Sequence, residues 1–192
     1  GKNSPTSDQI QRILSTAADI QEKYRPGQIA PTLYVGENSQ ANSLGHGTAY
    51  AYTELWRNPV ENPTTITFNA EQMGLGENYE GMRSSGILGE QFVTDSPEQL
   101  DYITAHEMGH VIEGFANGRA EYAAKQVMKM QESSNWQSAN TGDALDEGLS
   151  IYGQSSTREC YAECFADWYM TKGETTNSAT LALREAVGWA TP

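Results

Sequence analysis

The chain has 192 residues, 38% of them hydrophobic, and a formal net charge of −13 with a pI near 4.5. That length fits one domain with a sizeable core, and no run reaches the ~18 consecutive apolar residues that a membrane span needs. So acidic a surface repels phosphate backbones, which excludes nucleic acid as an expected partner; it speaks first for solubility, with a basic peptide or a cation as compatible ligands.

The polar start, Gly1-Lys2-Asn3-Ser4-Pro5, has no hydrophobic leader and reads as a trimmed terminus, leaving the location undetermined with a leaning toward export. Ile10, Ile13, Leu14, Ala17 and Ile20 form one apolar face, so a helix is predicted from Ser7 to about Tyr24, ended by Arg25-Pro26-Gly27. Strand character follows at Thr32 to Val35, Thr48 to Thr53 and Thr64 to Phe68. Gly74 to Gly89 reads as a long loop. From Ser96 the pattern turns helical. Ser96 can cap, Pro97 suits a first turn, and Gln99 can complete a capping box, giving a helix to about Phe115 that stops near Asn117-Gly118. Further helices are predicted over Arg119 to Glu132, from near Ser156 to Met170, and over Ser178 to Val187. A helix and strands over 1–95, then a mostly helical portion over 96–192, predict a single α+β domain with a small mixed sheet.

His106-Glu107-Met108-Gly109-His110 fits the H-E-x-x-H zinc signature. Residues four apart project from one side of a helix, so both imidazoles can reach one ion. Glu107, rotated about 100° from His106, can stand at the ion's open position and take a proton from a water that the ion activates. Two of the three histidines are committed to this pattern, and His46 reads as a loop residue.

Catalytic zinc takes three protein ligands and keeps one position open. Glu113 is seven residues from His106, about 10 Å along the helix axis, too far for both to meet one ion. It is expected in a supporting or solvated position. The ligand must then come from another helix, where Glu159 and Glu163 share a face. One can bind the ion and the other can accept the N–H of a ligating histidine. Alternatively, Ser156 and Glu159 form only a capping box and Glu163 is solvated. Cys160 and Cys164, four apart on a helix, suit a disulfide poorly; they are expected as small buried packing residues, with a metal role second.

Tyr152, six intervening residues, then Glu159 followed by Tyr161-Ala162-Glu163-Cys164-Phe165 resembles the E-[FY]-x-A-E-x-F signature of certain gluzincins. These are the catalytic domain of anthrax lethal factor and the clostridial Pro-Pro endopeptidases. Cys160 and Cys164 depart from the aromatic and small residues of that group, on a face turned away from Glu159. The resemblance covers about residues 96 to 170. It implies a zincin-like fold, with His106, His110 and Glu159 as zinc ligands, Glu163 orienting a ligating histidine, and Tyr152 stabilising an oxyanion. An acidic residue three after the second histidine, here Glu113, is common there too.

The expected activity is therefore zinc-dependent hydrolysis of peptide bonds in a protein or peptide substrate. Glu107 acts as base and Tyr152 as hydrogen-bond donor. By the resemblance, the substrate pairs with an edge strand, supplied by Thr64 to Phe68 or by the segment around Ile87-Leu88-Gly89. Tyr50, Tyr52, Trp56 and Tyr79 are candidates for a cleft, against the commoner role of aromatics in the core. Two other readings compete. One is an inactive zincin-like binding or structural module of a larger toxin or phage-related protein, and the other a zinc amidase acting on a non-protein substrate.

Overall fold

The structure is a computed structural model. It describes residues 4–36, 49–55, 64–76, 96–114, 118–133, 148–150 and 152–192, with the side chains of 96–98 excepted. His46, Trp56, Tyr79, Phe115, Asn117, the segment at Ile87-Leu88-Gly89 and most of the expected loop from Gly74 to Gly89 lie outside the described residues.

Helix α1 spans Ser7–Tyr24. Thr6 opens it with a reciprocal cap: its side chain accepts from the Gln9 N–H, and its own N–H donates to Gln9 Oε1 at 2.9 Å. Ile13, Ala17 and Ile20 are buried along the face predicted from their spacing. Thr16 joins them, its hydroxyl donating to Asp101 at 2.9 Å while Arg12 pairs with the same carboxylate. These bonds tie α1 to the helix that carries the histidines.

Strands β1 (Thr32–Gly36), β2 (Ala51–Glu54) and β3 (Thr65–Asn69) form a mixed sheet in the order β1-β3-β2, parallel between β1 and β3 and antiparallel between β2 and β3. Ile66 and Phe68 alternate inward from the central strand into the core. β3 is thus paired on both sides, which corrects the expectation that Thr64 to Phe68 could be the free edge. That segment reads as a short alternating strand wherever it sits, because alternation reports which faces are buried and not how many neighbours a strand has. A short helix, α2 (Ala70–Met73), follows β3 directly. Asn69 caps it, and Gly74 closes it in the left-handed conformation, at φ 67°.

The helical half contains α3 (Ser96–Gly114), α4 (Arg119–Ser133), α5 (Thr157–Met170) and α6 (Ser178–Val187). Asn177 caps α6 by accepting from the Thr180 N–H at 3.0 Å, and Gly188 ends it. Helices α3 and α5 pack tightly against each other. They cross at Gly109, where an added Cβ would lie 2.9 Å from the Ala162 Cα. A glycine inside a helix costs about 1 kcal/mol relative to alanine, and here it lets the two backbones touch. Below the crossing, Tyr161 and Phe165 are buried beneath Trp189, whose indole N–H donates to the Tyr161 hydroxyl at 2.8 Å.

The architecture is α+β, as the order of elements predicts. Among the described residues no helix is long and apolar enough to cross a membrane. Tyr52 is buried and Tyr50 packs on the core, so these two aromatics serve packing.

Candidate metal centre

The tight α3–α5 crossing sets Glu159, in the first turn of α5, against both histidines of α3. Glu159 Oε2 lies 3.0 Å from His106 Nε2 and 3.4 Å from His110 Nε2. His106, His110 and Glu159 each offer a ligand atom within 4.8 Å of the others, close enough to hold one metal ion. The imidazole rings meet edge to face with centroids 4.9 Å apart, as residues one helical turn apart should. The donor set of two imidazoles and one carboxylate is one that catalytic zinc takes.

The capping alternative for Glu159 is half right. The Ser156 side chain does accept from the Glu159 N–H, at 3.2 Å, but the Glu159 carboxylate turns to the histidines. Burial opposes its ionisation. The hydrogen bonds and charges of His106 and His110 outweigh burial and hold the carboxyl far below its ordinary range. At His110 burial likewise works against the charged ring, yet the hydrogen bond to Glu159 and the charges of Glu107, Glu159 and Glu113 hold its pKa above the ordinary value. A metal ion must displace that proton. Zinc affinity is therefore expected to be full above the raised His110 value and to fall up to ~10-fold per pH unit below it. Calorimetric titration of zinc across that range checks this; a flat profile would remove His110 from the ligand set.

Glu107 is buried on α3 and meets β2. The Thr53 hydroxyl lies 2.6 Å from Glu107 Oε2 and 3.2 Å from the Glu107 carbonyl oxygen. The Tyr152 ring lies 6.0 Å from that of His106. Burial raises the Tyr152 phenol above its ordinary value, and the nearby charges of Glu159 and Glu107 add to this, so it stays protonated as a donor.

Glu163, one turn after Glu159, is buried, and its carboxylate is held by Ser150. The Ser150 N–H donates to Oε1 at 2.7 Å, and the Ser150 hydroxyl donates to Oε2. Burial raises the Glu163 carboxyl, and the Ser150 bonds oppose this. Glu163 is not solvated; its described hydrogen bonds go to Ser150 rather than to a ligating histidine, and His106 reaches it only through its charge. Glu113 is also not solvated. Its side chain is largely buried, 3.9 Å from Arg158 Nε, and its charge acts on His110. Cys160 and Cys164 are free thiols, both buried, as packing residues should be.

Sequence reasoning did not find Thr53, Ser150 or Gly153. Strand alternation sets Thr53 on the face opposite Tyr52, but nothing local says what that face meets. No protein-family model matches the chain, and searches of curated proteins and of solved structures give no match.

Proposed function

We propose that this chain is a zinc-dependent endopeptidase with a zincin-like fold of the gluzincin type. The observation that carries the reading is the meeting of His106, His110 and Glu159 beside a buried carboxylate, Glu107, that is not one of the three. A purely structural zinc site takes four protein ligands and has no use for such a neighbour. When bound, zinc supplies Lewis-acid polarisation of the scissile carbonyl and lowers the pKa of the attacking water. Glu107 receives the proton from that water and passes it to the leaving amine. Tyr152 donates its phenolic hydrogen to the oxygen on which negative charge develops. Glu159, kept ionised between the two imidazoles, balances the charge of the ion.

An extended substrate would add to the sheet along β2. Among the described residues β2 is an edge strand, and its Thr53 reaches Glu107. On this reading Thr53 orients the base. Thr53→Val, close in shape and well suited to a strand, is expected to lower kcat about 10-fold with KM and zinc content unchanged, and Thr53→Ser to restore most of it. Steady-state kinetics on one cleaved peptide measures this; equal activity in all three proteins would deny Thr53 the role.

The test of the reading is digestion of a diverse peptide library, with cleavage sites found by mass spectrometry. Cleavage that a chelator abolishes and zinc restores supports the peptidase. Zinc bound without any cleavage favours the inactive module or the amidase, and no zinc at saturating metal overturns the reading.

A further inference from the structure

Tyr152 comes from the segment between α4 and α5, whose described residues 148–150 and 152–155 lie outside any helix or strand. A phenol that must meet a charge within a few tenths of an ångström needs its backbone held firmly. Three elements hold this segment. Gln131 on α4 accepts the Leu149 N–H at 2.8 Å, Asn177 at the start of α6 donates to the Gly148 carbonyl at 3.0 Å, and Glu163 on α5 takes both the N–H and the hydroxyl of Ser150. The Ser150 hydroxyl oxygen in turn accepts the Gly153 N–H at 2.9 Å, and the Ser150 carbonyl accepts the Gln154 N–H at 3.0 Å. Ser150 is thus the link between the α5 carboxylate and the turn through Tyr152. The turn presses on that carboxylate so closely that a Cβ on Gly153 would lie 2.6 Å from Glu163 Oε1. A buried carboxylate is tolerated only when its oxygens are satisfied, and here the turn satisfies them.

We infer that Glu163 and Ser150 form a clamp whose task is to position Tyr152 against His106 and Glu159. Glu163 and Ser150 are positioning residues and act through the turn. The catalytic consequence rests on the peptidase reading; the positioning itself does not.

The two are separated by placing 3-fluorotyrosine at position 152 alone and recording its fluorine resonance in the zinc-loaded protein, beside cleavage kinetics. Ser150→Ala is expected to move that resonance toward the value of free fluorotyrosine. With a cleavable peptide, Ser150→Ala lowers kcat by the same factor as Tyr152→Phe, about 10²–10³-fold, at unchanged KM and zinc content. The double variant loses no more than Tyr152→Phe alone. Ser150→Cys keeps the shape with a weaker donor and gives an intermediate shift, serving in place of the alanine variant should that fail to fold. An unmoved resonance overturns the clamp, as do losses that multiply in the double variant. If the wild type cuts no peptide, the peptidase reading fails by itself and the resonance decides the clamp.

Discussion

Glu107→Gln is expected to keep a full complement of zinc while peptide cleavage falls by about 10²–10⁴-fold, the range that a positioned general base supplies. The side chain is buried beside the metal-binding set without belonging to it, so the amide should not disturb His106, His110 or Glu159. Glutamine keeps the shape, and its carbonyl oxygen can still accept the Thr53 hydroxyl. What it cannot do is take a proton near neutral pH. Metal analysis of the purified variant, together with kinetics on a cleaved peptide, separates the two effects. Retained activity would move the base elsewhere. Loss of zinc would show that Glu107 supports the site structurally.

Gly109→Ala should have the second largest effect, on stability and metal affinity together. The new methyl would meet the Ala162 Cα at 2.9 Å and its carbonyl oxygen at 3.3 Å, both backbone atoms of a packed helix. They have no rotamer by which to retreat, so α3 and α5 must separate. Overpacking of this kind costs about 1–3 kcal/mol, offset in part by the ~1 kcal/mol gain in helix propensity. Glu159 and the two histidines ride on opposite sides of this crossing, so the separation should also weaken zinc binding. Gly114→Ala is the control. There the nearest atoms to the methyl are Cδ1, Cδ2 and Cγ of Leu55, a side chain that can swing away, unlike a helix backbone, and the helix gains propensity. Thermal melts and zinc titrations of both variants make the comparison. Equal behaviour would show that the crossing at Gly109 tolerates a side chain.

Most elements were legible because their signals are local. α1 and α6 begin and end where their apolar faces and terminal signals predict, α4 and α5 differ from expectation by a residue, and α3 is helical through Gly114, the last described residue before its expected end. The α2 helix went unread because four residues, Ala70–Met73, are too few to show a helical period. Its capping residue, Asn69, is also the last residue of β3, so no gap separates the two elements. The misreading of Thr64 to Phe68 as a possible edge has a similar root. Thr65 and Thr67 look like a solvated face, yet what makes β3 central is hydrogen bonding in the plane of the sheet, to which side-chain pattern is blind.

By itself, the sequence determined that His106 and His110 lie on one side of one helix with Glu107 beside them, since 3.6 residues per turn follows from backbone hydrogen bonding alone. Helical spacing likewise put Glu159 and Glu163 on a common face and left their roles open. Only the tertiary structure decided which carboxylate reaches the histidines, because that depends on where α5 crosses α3, and a backbone contact at Gly109 sets the crossing. The placement of α5 likewise buries Glu163 against Ser150, and the separate packing of β2 on α3 brings Thr53 to Glu107 from 54 residues away. A helix's own geometry is written in neighbouring residues. The meeting of two helices and a strand is settled by the packing of all of them at once, and no local pattern carries it.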